Sequence, residues 1–221
     1  MVNKEDIIYF YGPNPNKWNW DDIVYHQRLS EDFIREFKGK VNWYWVSYHQ
    51  KLSESFIREF QDKVNWDWIS YRQILSENFI REFKDILYWR TISFKQTLSE
   101  NFIREFQDKV YWPYISAYQT LSENFIREFK DKVCWTSISY RQKLSENFIK
   151  EFKDQIDWIV LCRDNIHCPP DIKIKWMKDN NLIKKQDPST HEIEYETIPI
   201  TKPNNYNNYN DLQLLKELIE D

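Results

Sequence analysis

LSENFIREF (residues 75–83) recurs unchanged from Leu98 and from Leu121. Close variants begin at Leu29 (LSEDFIREF), Leu52 (LSESFIREF) and Leu144 (LSENFIKEF), so six copies stand 23 residues apart. A single tryptophan column keeps the same step: Trp20, Trp43, Trp66, Trp89, Trp112, Trp135 and Trp158. Three residues after each comes Ile23, Val46, Ile69, Ile92, Ile115, Ile138 or Leu161, and seven after comes Gln27, Gln50, Gln73, Gln96, Gln119, Gln142 or Asn165. A fixed period of this length marks a repeat array.

Each unit reads as two short helices. In the copy from Leu52, Ser53 is a natural N-cap, and Leu52 with Ile57 has the spacing of a hydrophobic staple. Phe56, Ile57, Phe60 and Val64 share one stripe of a 3.6-residue helix, which predicts a first helix over 54–64. Glu54 with Arg58, and Glu59 with Lys63, are i,i+4 pairs in the favourable order. The second helix starts near Trp66, behind an N-cap column that holds Asn42, Asn65 and Asp157. Pro113 directly after Trp112 fits only a first turn. One unit cannot bury enough apolar surface to offset the ordering of its chain, about 1–2 kcal/mol per residue for the backbone; stacked units can. The expected fold is therefore all-α, an α-solenoid of about six 23-residue helix-turn-helix repeats. A heptad coiled coil fails because the apolar pattern restarts at every VNW-like junction, and period-two alternation is missing from the LSENFIREF segments.

The ends differ from the array. Residues 1–17 read as an N-terminal cap, helix or strand, and residues 18–168 as the repeats. Residues 169–201 read as a C-terminal cap whose HEIEYETIPI could form a strand, residues 202–210 as an Asn-rich linker, and residues 211–221 as a last amphipathic helix.

The unit LSEDFIREF…VNWYWVSYHQ resembles the short tandem repeats of uncharacterised proteins from giant DNA viruses of the mimivirus kind. The resemblance covers residues 18–166. It implies a viral origin and a host-cytoplasm setting, and it carries no activity and no site residues.

Bulk properties narrow the function. The chain has 221 residues, a net charge of −4 and 11 Trp, 14 Tyr and 14 Phe. Mild acidity disfavours nonspecific binding to nucleic acid or to an anionic membrane. Two glycines, Gly12 and Gly39, cannot build a Gly-rich phosphate cradle. The N-terminal apolar run is too short for a signal peptide, and three cysteines without such a signal fit a reducing, cytoplasmic compartment.

Candidate sites divide into frame and display. The frame consists of Trp43, Trp66, Trp89, Trp112 and Trp135 with Phe56, Phe60, Phe79, Phe83, Phe102 and Phe106, read as structural core. The Gln column is either buried against backbone or exposed. Arg35, Arg58, Arg81, Arg104, Arg127 and Lys150 form a cationic stripe, but each has Glu four before and Glu directly after, which makes it a salt-bridged face. A second column, Arg72, Lys95 and Arg141, is interrupted by Tyr118. Cys162, His167 and Cys168, with Cys134, do not have a standard zinc spacing and read as inert thiols. His26 and His49 read as surface residues. Positions after the tryptophan vary while the frame repeats, and there Tyr44, Trp45, Asp67, Trp68, Arg90 and Tyr114 are the expected partner-binding residues. The expected function is a non-enzymatic scaffold for a protein partner, host or viral, with no catalytic residue, cofactor, metal or membrane. Self-association as a virion or assembly component is the alternative, and nucleic-acid binding the third reading.

Overall fold

The computed structural model describes residues 4–179. The chain divides into two units, residues 1–169 and 170–221. The expected strand, linker and last helix between residues 190 and 221 lie outside the described residues.

In the first unit, α1 (Lys4–Tyr11) is followed by a 3-10 turn at Pro15–Lys17 and then by alternating second and first helices. The second helices are α2 (Trp20–His26), α4 (Trp43–His49), α6 (Trp66–Arg72), α8 (Trp89–Lys95), α10 (Trp112–Tyr118), α12 (Trp135–Arg141) and α14 (Trp158–Asp164). The first helices are α3 (Glu31–Glu36), α5 (Glu54–Glu59), α7 (Glu77–Glu82), α9 (Glu100–Glu105), α11 (Glu123–Glu128) and α13 (Glu146–Glu151). No strand occurs among the described residues. In the second unit, α15 covers Pro170–Asp179, in the stretch expected to begin an irregular cap.

Six residues are a short helix, and its ends explain how it persists. Every first helix has a serine N-cap whose hydroxyl accepts from the N–H of the phenylalanine three residues on, as Ser53 does from Phe56 at 3.2 Å. The helix stops at Glu59, not at Val64 as the apolar stripe suggests. Phe60 leaves helical geometry, with ψ at 30°. Its carbonyl then accepts from both Lys63 and Val64 at 2.9 and 3.0 Å, a tight turn that still delivers Val64 to the core. Second helices run seven residues. Asn19, Asn42, Asn65 and Asp157 cap them by side chain, whereas Tyr88, Tyr111 and Cys134 provide no side-chain cap.

Successive second helices pack directly on one another along the array. Phe56, Phe79, Phe102, Phe125 and Phe148 are fully buried, as are Ile57, Ile69, Ile80 and Ile92. At the start, α1 closes the first repeat. Ile7 is fully buried, Lys4 pairs with Glu36, and the Tyr11 hydroxyl donates to Asp22 at 2.7 Å. That bond, together with burial and the negative charge of Asp22, raises the Tyr11 pKa. Gly12 follows α1 at φ +83°, the left-handed position that favours glycine after a helix.

Candidate functional site

Four ladders of side chains join each repeat to the next and determine which surfaces remain for anything else. The first is the glutamine column. Gln50 is buried, its Nε2 donates to Val24 O and Gln27 O at 2.7 and 2.8 Å, and its Oε1 accepts from Leu29 N at 2.9 Å. Gln73, Gln96, Gln119 and Gln142 repeat this arrangement. The site where one repeat turns into the next Leu-Ser leaves backbone groups without helical partners, and the following repeat's amide satisfies them. Asn165 ends the series, keeping the two donations to Ser139 O and Gln142 O while its Oδ1 accepts from His167 N.

The second ladder is the serine column. Ser70 Oγ donates to Trp66 O at 2.7 Å and accepts from Tyr88 N at 3.1 Å, and Ser47, Ser93 and Ser116 act likewise. The third is the glutamate of LSE. Glu31, Glu54, Glu77, Glu100 and Glu123 each accept from the N–H of the next repeat's cap serine at 2.6 Å. This is a capping contact made across repeats rather than within one helix.

The fourth corrects the expected charge pairing. The glutamate directly after each arginine bonds the arginine of the preceding repeat. Arg35–Glu59, Arg58–Glu82, Arg81–Glu105, Arg104–Glu128 and Arg127–Glu151 stand at 2.7 to 2.9 Å. The within-helix partner, as in Glu54 to Arg58 at 3.7 Å, is looser. Glu59 therefore does not pair with Lys63, which lies 3.1 Å from Asp62. Each arginine also lies over the next repeat's first phenylalanine, Arg58 on Phe79 at 4.9 Å. The stripe ends at Lys150, which turns back to Glu146 of its own helix at 3.3 Å.

The tryptophan column needs a correction as well. Trp43, Trp66, Trp89, Trp112 and Trp135 are half-buried rather than in the core. Each ring lies against two phenylalanines, one on the helix that follows it and one just past that helix's end, as Trp43 does with Phe56 and Phe60 at 6.2 and 4.8 Å. Each indole N–H donates to a backbone carbonyl five residues back, Trp66 to Gln61 O at 3.1 Å. The ring is a flap over the core whose polar handle fixes the preceding turn. Phe56, Phe60, Phe79, Phe83, Phe102 and Phe106 are buried.

The expected partner-binding residues lie on the second helices and divide by burial. Tyr44 is 43% exposed, Asp67 is exposed, and Trp45, Arg90 and Tyr114 are half-buried. Trp68 is only 9% exposed, because Tyr44 and Tyr48 of the neighbouring helix meet its ring edge-on at 5.7 and 4.4 Å. It supports the surface rather than belonging to it. Arg90 lies over the rings of Tyr111 and Tyr114 at 4.6 and 5.4 Å.

Residues not singled out from the sequence complete this face. Tyr25, Tyr48, Tyr71, Phe94 and Tyr140 occupy one column, five residues after the tryptophan. Arg72 lies 4.7 Å over Tyr48, and Lys95 4.3 Å over Tyr71. The recurrence of aromatics at one position was the available signal. His26 is exposed, as expected, whereas His49 differs from expectation. His26 has a carboxylate partner, Asp22 at 3.5 Å. His49 is half-buried among Tyr25, Trp45 and Tyr48, with its Nε2 enclosed and unbonded. Burial first, and then the charges of Arg72 and His26, lower its pKa.

Among the described residues there is no group of three or more side chains that could hold a metal. Cys162 is buried in the serine column, Cys134 and Cys168 are half-buried, and His167 is exposed. No helix among them is long and apolar enough to cross a membrane. One shallow cleft of about 210 Å³ lies between Trp135 and Glu151, lined mostly by charged side chains. No protein-family model, curated protein or solved structure matches this chain.

Proposed function

We propose that the chain is a non-enzymatic helical-repeat scaffold that presents a protein-binding surface on its second helices. The observation that carries this reading is the division between contact and variation. The recurring Gln, Ser, Glu and Arg side chains are consumed between repeats. The varying side chains, among them Tyr44, Trp45, Asp67 and Tyr114, stand on the second helices outside those ladders. Aromatic and arginine side chains of this kind dominate binding energy at protein interfaces. The resemblance to giant-virus repeats suggests a viral protein acting in host cytoplasm on a host or viral partner.

Co-purification tests the reading. Tyr44→Ala, Trp45→Ala and Tyr114→Ala together are expected to remove the partner while far-UV circular dichroism keeps its helical signal. An unchanged set of co-purifying proteins overturns this surface. Trp68 is unsuited to the test because its removal opens a buried contact. Self-association as an assembly component is the second reading. It draws on Lys150 and Glu146, which have no further repeat to reach, and light scattering showing only monomer at high concentration rejects it.

A further inference from the structure

The second-helix face carries a charge that the rest of the chain lacks. The five stretches from Trp43 to Lys143 that comprise α4, α6, α8, α10 and α12, with two residues after each, hold Lys51, Arg72, Arg90, Lys95, Arg141 and Lys143. Against these six cations stands the single carboxylate of Asp67, a net charge of +5. The four first-helix segments between them, residues 52–65, 75–88, 98–111 and 121–134, together carry −3.

The cations of the two faces are also held differently. On the first helices, arginines bond carboxylates in two directions. On the second helices Arg72, Lys95 and Arg141 are exposed, and no carboxylate lies within ion-pair distance of them among the described residues. They are held in place by neutral groups instead. Arg72 Nε donates to Tyr48 O at 3.0 Å while the guanidinium lies over the Tyr48 ring at 4.7 Å. Lys95 sits over Tyr71 and Phe94 at 4.3 and 4.5 Å, and Arg141 over Tyr140 at 4.5 Å. A cation ordered by a ring face keeps its full charge and its outward N–H donors, and loses little entropy when an anion arrives.

We propose that this face binds an acidic, extended segment of a partner protein, whose carboxylates bond Arg72 and Lys95 in adjacent repeats and, past the repeat of Tyr118, Arg141. The inference rests on the binding-surface reading above and adds the chemistry of the partner. Charge complementarity selects the occupant. Single-stranded nucleic acid also seeks cations among aromatics, but its bases need open ring faces to stack on. Here the faces of Tyr48, Tyr71, Phe94 and Tyr140 already carry a cation, which favours carboxylates approaching the guanidinium and ammonium groups.

Fluorescence anisotropy with the full chain tests this. The probe is a short fluorescein-labelled peptide repeating Glu-Leu-Ser, with Gln-Leu-Ser and oligo-dT as comparisons. The Glu peptide is expected to bind at low salt and to weaken as salt is raised. The triple variant Arg72→Ala, Lys95→Ala, Arg141→Ala is expected to weaken it about tenfold. The triple variant Lys84→Ala, Lys130→Ala, Lys153→Ala, which removes as many exposed cations from the turns after the first helices, should leave it unchanged. Equal binding of the Gln peptide, equal loss in the two triple variants, or tighter binding of oligo-dT overturns the proposal. A natural partner that needs Tyr44 and Trp45 but touches this face with a neutral or basic segment overturns it too, while leaving the binding-surface reading intact.

Discussion

First and second helices alternate along one chain and share one core, yet their outer sides are built on different rules. The first-helix side repeats almost letter for letter, and its five recurring arginines each bond a glutamate of the next repeat. The second-helix side changes from unit to unit, and there Arg72, Lys95 and Arg141 rest on aromatic rings. The difference teaches where repetition is physically required. A side chain that must reach across a repeat junction has the same geometry to satisfy each time, so the same residue recurs. A side chain that meets only solvent is released from that demand.

Breaking the buried junction should cost the most. Gln96→Ala removes two donors and one acceptor at once, leaving Ser70 O, Gln73 O and Leu75 N without protein partners. A loss of about 3–5 kcal/mol is expected from the unpaired groups, read as a fall in the urea midpoint. Ser93→Ala strands Tyr111 N and should cost about 1–2 kcal/mol by the same measurement.

Titration sharpens the comparison from the second-helix side. The folded pKa of His49 lies below its ordinary value, so the unfolded chain takes up the proton first. Stability contributed by neutral His49 is then present above about pH 6.5 and is lost as pH falls from there toward the folded pKa. His49→Gln should flatten the fall in melting temperature as pH drops below about 6.5. A variant whose melting temperature falls as steeply as the parent's would place the acid sensitivity elsewhere.

The smallest effect belongs to the exposed ladder. Arg81→Ala removes the bond to Glu105 but should cost only about 0.2–1 kcal/mol, since both partners are substantially solvated. Its loss together with that of its stacking on Phe102 should shrink further at high salt.

The fold was legible because its signals are local and repeated six times. Cap serines, the proline after Trp112 and the apolar spacing each mark a helix boundary without reference to the rest of the chain. What one unit could not reveal is the offset between units. A period of 23 residues says that columns stack, but not that Arg81 meets Glu105, one position past its own column's next copy. The same gap hid the target of the glutamines, whose carbonyl partners lie 23 and 26 residues back. The tryptophans misled for another reason: strict recurrence suggested burial, while their role is a half-exposed flap fixed by an indole hydrogen bond. Trp68 misled in reverse, because a varying position is covered when the neighbouring helix supplies Tyr44 and Tyr48.

The central claim is that each repeat is stable only through bonds and apolar contacts supplied by the next. Chains that keep both ends but carry one, two, four or six repeats test it by urea unfolding monitored with circular dichroism. The account predicts little helix for one repeat and a midpoint that climbs with each repeat added. A single repeat that unfolds at the same midpoint as the whole array would contradict it.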